Sequence, residues 1–195
     1  MKKIILPKEP IVLDNKDFQT IQIKVMFPYS ETTNDLAKVV LLPSMLMYMN
    51  NDYPNEADFL LEKKKNYILG MGCFQSTIGN TGCFSFSLNI PNSKLISEDY
   101  LEKQIKLFKS MIYNPKIVDN AFDEFELERE KKLLNMNIDN LSLNSMSGYH
   151  TYRIRNIIDD KDILSRNLVD NRNLIDEVNT KNLYEFYLLI NVIVI

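Results

Sequence analysis

A single histidine, His150, stands in 195 residues. A zinc hydrolase usually takes three protein ligands, commonly two of them histidines, and leaves a fourth position for water. His150 cannot supply that set and reads as a surface or helix-packed residue. The next candidates are four carboxylates, Glu124, Glu126, Glu128 and Glu130, in FDEFELEREKK. Two carboxyls can divide acid and base roles when burial raises the pKa of one. Glutamates two apart on a helix do not share a face, however. Glu124 and Glu128 do, and Glu128 also faces Lys132 one turn on, a pair worth roughly 0.2–0.5 kcal/mol. The cluster therefore reads as a solvated helix face, and an enzyme built on Glu128 and His150 is the weakest reading.

Other chemistries fare no better. The serines and the two cysteines, Cys73 and Cys83, would all depend on the same histidine as base. Neither a P-loop pattern nor GxGxxG occurs, and five glycines are few for phosphate loops. Lys63-Lys64-Lys65 follows Glu62 and reads as a solvated helix end rather than an anion site. A net charge of −3, from 23 basic and 26 acidic residues, offers no surplus to neutralise phosphates, so no nucleic-acid partner is expected. Nine methionines, among them Met26, Met45, Met47 and Met49, suggest an adaptable core, with a peptide groove as the second reading. The expected inventory is no catalytic residue, no metal ligand and no cofactor.

The cysteines flank GNTG, residues 79–82. Folding about that loop puts Cys73 near Leu88 and Cys83 near Ile78, so free buried thiols are expected, in a reducing cytoplasm. No secretory signal is evident, because Lys2-Lys3 leads into only Ile4-Ile5-Leu6 before Pro7. No apolar run reaches the ~18 residues of a membrane span, so no membrane partner is expected.

Hydrophobic periodicity supplies the elements. Ile21, Ile23, Val25 and Phe27 alternate with polar residues from Phe18 to Phe27, a half-buried strand that Pro28 should end. Thr33–Met49 reads as a helix with Pro43 inside it, so the helix either starts late or is kinked. A second helix is expected over Asn55–Tyr67, burying Phe59, Leu60 and Leu61. Strands over Ile68–Thr77 and Cys83–Ile90 should form an antiparallel hairpin about GNTG. Helices follow over Ser97–Tyr113, with Leu101, Ile105, Phe108 and Ile112 in one stripe, over Asp119–Ile138, with Leu127, Leu134, Ile138 and Leu141 in line, and over Ser145–Ile157. A last helix starts near Thr180, burying Leu183, Phe186 and Tyr187, and NVIVI reads as a strand. Strands and helices are segregated, so the fold class is α+β: an antiparallel sheet covered on one face by helices. One domain over residues 1–195 is the economical division.

This order of elements, with its local signatures, resembles the insulinase/pitrilysin-type metallopeptidase family, which includes the mitochondrial processing peptidase. The strand IQIKVMF, the helix VVLLPSMLMYM, the turn at Tyr53-Pro54, the hairpin ILGMGCFQSTIGNTGCFSFSLNI, Asn114-Pro115, FELEREKKLL and LIDEVNTKNLYEFY carry the resemblance from Phe18 onward. It is nearest to the non-catalytic bacterial members. The family places H-x-x-E-H on the first helix. Counting back from Tyr53-Pro54, those positions are Val40-Leu41-Leu42-Pro43-Ser44. Val40 and Ser44 stand where the histidine ligands would be, and Pro43 stands where the water-activating glutamate would be. The third-ligand glutamate matches Glu128.

The resemblance implies a catalytically inactive zinc-metallopeptidase homologue. It would pair with a homologous H-x-x-E-H-bearing subunit, forming a heterodimer that binds or processes a peptide or protein substrate. The chain would be the first of two similar domains, truncated before the second. The competing expectation is a stand-alone peptide-binding or scaffold module with no enzyme partner.

Overall fold

A computed structural model describes residues 11–13, 17–29, 35–78, 81–96, 100–144, 146–158 and 165–192. The chain runs β1 (Thr20–Tyr29), α1 (Leu36–Met47), α2 (Glu56–Lys65), β2 (Gly70–Ile78), β3 (Thr81–Pro91), α3 (Leu101–Tyr113), α4 (Glu124–Asn144), α5 (Met146–Arg155), α6 (Asn173–Glu177) and α7 (Thr180–Val192). The three strands form an antiparallel sheet in the order β1-β3-β2, so the class is α+β. The expectations placed on Lys2–Pro7, Thr33, Gly79-Asn80, Ser97, Ser145 and residues 193–195 lie outside the described residues, as does the side chain of Leu141.

The period-2 pattern of the strands sets the covered face. Phe27 lies opposite Phe84, Val25 opposite Phe86, and Ile23 opposite Leu88. On the other side of β3, Met71 lies opposite Leu88 and Cys73 opposite Phe86. Pro28 does not end β1: it pairs with Cys83, and Tyr29 with Gly82. Among the described strands β1 lies at an edge, where a missing amide can be tolerated. The hairpin is also tighter than GNTG suggests. Ile78 pairs with Thr81, so only residues 79 and 80 separate the strands. Cys73 therefore faces Phe86 rather than Leu88, and Cys83 faces Ser76 rather than Ile78. The register moved by two residues, which leaves every side chain on its expected face.

Gly82 proves to be a packing residue. A Cβ there would lie 2.5 Å from the Tyr29 ring. That ring packs on Phe84 at 4.8 Å and edge-on to Phe186 of α7 at 6.2 Å.

α1 is the central helix. It packs against β2, α3, α4, α6 and α7, and Leu36, Ala37, Val39, Leu41, Leu42, Pro43, Met45 and Leu46 are buried. Pro43 sits inside the helix, not in its first turn. A proline there costs roughly 3 kcal/mol. Four buried leucines at about 1.5–3 kcal/mol each outweigh it.

The turn at Tyr53-Pro54 is held by the fully buried Asn50. Its Oδ1 accepts from the amides of Asp52 and Tyr53, both at 2.9 Å, and its Nδ2 donates to Ser110 Oγ of α3 at 3.1 Å. This network ties the end of α1 to the end of α3. α2 is capped by Asn55, whose side chain accepts from the Asp58 amide at 2.9 Å. It buries Phe59, but Leu61 is half exposed, contrary to expectation. Leu127 and Ile138 of α4 are buried and Leu134 partly so, as are Leu183, Phe186 and Tyr187 of α7. Residues 191–192 continue α7 as helix, so NVIVI does not begin as a strand. Among the described residues no helix is long and apolar enough to cross a membrane.

Candidate functional site

Two helices set the site. Val40 and Ser44 of α1 are four apart and so share a face. Ser44 lines a cleft between α1 and α4, with Met45, Tyr48 and Met49 on its own side and Glu126, Arg129 and Glu130 opposite. The cleft holds ≈ 10 Å³, the room of about one water.

α4 begins where Asp123 Oδ1 accepts from the Glu126 amide at 3.1 Å. From that start, Glu126, Arg129 and Glu130 fall at i, i+3 and i+4 and meet on one face. Arg129 Nη2 and Nε donate to Glu130 Oε1 at 3.0 and 3.3 Å. Arg129 Nη1 lies 2.9 Å from Glu126 Oε2, but that oxygen accepts no well-directed hydrogen bond. The contact with Glu126 is therefore mainly Coulombic. Glu130 is 9% exposed. The hydrogen bond to Glu130 pushes the Arg129 pKa above its ordinary value against the cost of desolvation, and the charges of Glu126, Glu130 and Glu56 add to the effect.

Glu128 is elsewhere. It points outward, half exposed, and pairs with Lys131 at 2.8 Å rather than with Lys132. The correspondence that put the third-ligand glutamate at Glu128 is therefore not reproduced in space: the glutamates that face Ser44 are Glu126 and Glu130. A helical wheel carries the missed signal. Glu130 falls three residues after the buried Leu127 and four before Leu134, on the inward stripe. His150 is exposed on α5, beside Tyr149, and does not line the cleft. Lys65, at the end of α2, pairs with Glu62 at 3.7 Å.

The cysteines are free and buried. Burial pushes the Cys73 thiol up to about 12 and raises that of Cys83 as well. Thiols held protonated in this way are poor nucleophiles and poor metal ligands. A wider cleft of ≈ 330 Å³ is lined by Asn51, Tyr113, Tyr184 and Tyr187, among others. Its Tyr187 hydroxyl is already committed, donating to the Ile112 carbonyl at 2.8 Å.

Zinc does not fit the α1–α4 cleft. Val40 offers no donor atom, Pro43 no carboxylate and Ser44 only a hydroxyl, and Arg129 already lies against the facing carboxylates. Among the described residues no three His, Cys, Asp or Glu side chains are grouped so as to hold a metal ion. Among the described residues β2, which packs beside α1, pairs only with β3 and so lies at one edge of the sheet.

No family model matches the chain. In sequence it is similar to a Bacillus subtilis (strain 168) protein named "Probable inactive metalloprotease YmfF", 22% identical over 180 residues. That match covers 90% of this chain and 42% of the relative, so the chain spans less than half the relative's length. In structure it is similar to a conserved protein from Enterococcus faecalis V583, with a TM-score of 0.76 and 21% identity over 90% of this chain and 42% of that one. It is also similar to a protease from Helicobacter pylori, with a TM-score of 0.66 and 14% identity over 89% of this chain and 38% of that one. The fold is that of protease domains of this kind, and the insulinase-type resemblance read from the motifs agrees with it.

Proposed function

We propose that the chain is a catalytically inactive zinc-metallopeptidase homologue that pairs with an H-x-x-E-H-bearing subunit and helps to bind or process a peptide or protein substrate. One observation carries this reading: the face of α1 that carries Val40 and Ser44 meets an arginine-bridged carboxylate pair instead of a metal-ligand set. The Bacillus subtilis relative, whose name reads "Probable inactive metalloprotease YmfF", supports it. The substrate would lie extended along β2, adding a strand to the sheet edge through main-chain hydrogen bonds. The partner would supply the zinc and the activated water.

Co-expression with the related gene products of the host tests the pairing. The expected result is a stable complex with an H-x-x-E-H chain, with cleavage seen only in the complex and lost when the partner's histidines are replaced. A chain that binds peptide as a monomer and recruits no such partner would favour the stand-alone module instead.

A further inference from the structure

We infer that Arg129 is a built-in cation standing where a metal would have to sit, and that it closes the α1–α4 cleft to divalent ions. The geometry is specific. The guanidinium reaches Glu126 at 2.9 Å and Glu130 at 3.0 Å, and both carboxylates face Ser44, the position aligned with a histidine ligand. An arginine is the one side chain that can span two carboxylates with fixed donors and never lose its charge. The remaining space, ≈ 10 Å³, is that of about one water, so a cation entering it would sit directly against the guanidinium.

Two consequences separate this from a casual surface ion pair. First, the two glutamates are sheltered: their side chains are 17% and 11% exposed, and Glu56 adds a further negative charge that Arg129 feels. Without the guanidinium, neighbouring carboxylates would be left half-desolvated beside each other, an arrangement that costs far more than an exposed pair gains. Secondly, a divalent cation entering the cleft would have to displace Arg129 or share the site with it, and like charges at such distances repel. Restoring ligands on α1 alone would therefore not restore a metal site. The inference concerns this chain by itself and holds with or without a partner subunit.

The test compares two full-length variants. One carries Val40→His, Pro43→Glu and Ser44→His with Arg129 in place. The other carries the same three changes with Arg129→Met. Each is equilibrated with buffered Zn²⁺, freed of loose metal and assayed for bound zinc, with circular dichroism reporting folded content. The expected zinc is under about 0.1 per chain with Arg129 and about 1 per chain without it. Stoichiometric zinc with Arg129 present overturns the inference, as does a folded Arg129→Met graft that binds none. Thermal melts on ungrafted protein give a second reading that does not depend on the graft folding. Arg129→Met alone should lower Tm by roughly 5 °C, and the triple variant Glu126→Gln, Arg129→Met and Glu130→Gln should recover most of that loss. An unchanged Tm for Arg129→Met also overturns the inference.

Discussion

The two sides of α1 are built on different principles. Its buried side brings Leu36, Leu41, Leu42 and Leu46 into the same apolar cluster as Phe27, Phe84 and Leu88 of the sheet. The side toward α4 meets a serine-lined cleft and three charged residues. The first side is held by area removed from water, which any apolar residue of suitable shape can supply. The second faces a charge network held within α4, Arg129 against Glu126 and Glu130, which needs particular groups at particular angles. The groups on the α4-facing side can therefore vary while the architecture stays, because the leucine side anchors the helix in the core.

Substitutions on the two sides should therefore differ most. Leu42→Ala, at a residue 2% exposed, should cost about 2–5 kcal/mol in urea unfolding. Ser44→Ala, on the opposite side, should stay within about 0.5 kcal/mol. Equal costs at the two positions would break the contrast.

The same division should appear in the pH dependence. Cys73 lies on the covered face of the sheet, where burial raises its thiol from 9.0 to about 12. The neutral form is favoured in the folded state, so this stabilisation is complete below pH 9.0 and is lost as the pH climbs toward about 12. Cys73→Ala should unfold with a flatter stability profile across that window.

Gly82→Ala should cost about 1–3 kcal/mol, because the new methyl would press into the Tyr29 ring and displace it from Phe84 and Phe186. The α4 glutamates sharpen the other half of the comparison. Glu130→Ala should cost about 1–2 kcal/mol, a figure discounted because Arg129 remains 38% exposed. Glu128→Ala should stay within about 0.5 kcal/mol, since Glu128 is half exposed. Equal effects from the two glutamates would contradict the inward placement of Glu130. The smallest effect is expected for His150→Ala: no measurable change in stability.

Much of this was legible in the sequence, for physical reasons. Period-2 alternation identified the covered faces of β1 and β3, and a hairpin misjudged by two residues preserved them. The helices followed from 3.6-residue stripes and from turn residues such as Asn114-Pro115. Three features were not legible. Pro28 looked like a terminator because proline lacks a donor, but whether that donor was needed depended on β1 being an edge. Gly82 looked like a turn glycine because its role is defined by Tyr29, some fifty residues earlier. Glu128 matched a linear motif, whereas the cleft selected Glu126 and Glu130 by helical phase. The α1 end of the site was the easier half, since Val40 and Pro43 carry no side-chain donor atom and Ser44 only a hydroxyl, wherever the fold places them. The α4 end depended on the fold, because the rotation of one helix against another decides which glutamates meet α1.

The central claim is that this chain carries no zinc chemistry of its own. Its most direct test is the zinc content of the purified protein after exposure to buffered Zn²⁺, read beside a peptidase assay with and without EDTA. The expected result is zinc far below one ion per chain and no EDTA-sensitive cleavage. One zinc per chain together with EDTA-sensitive cleavage would contradict it.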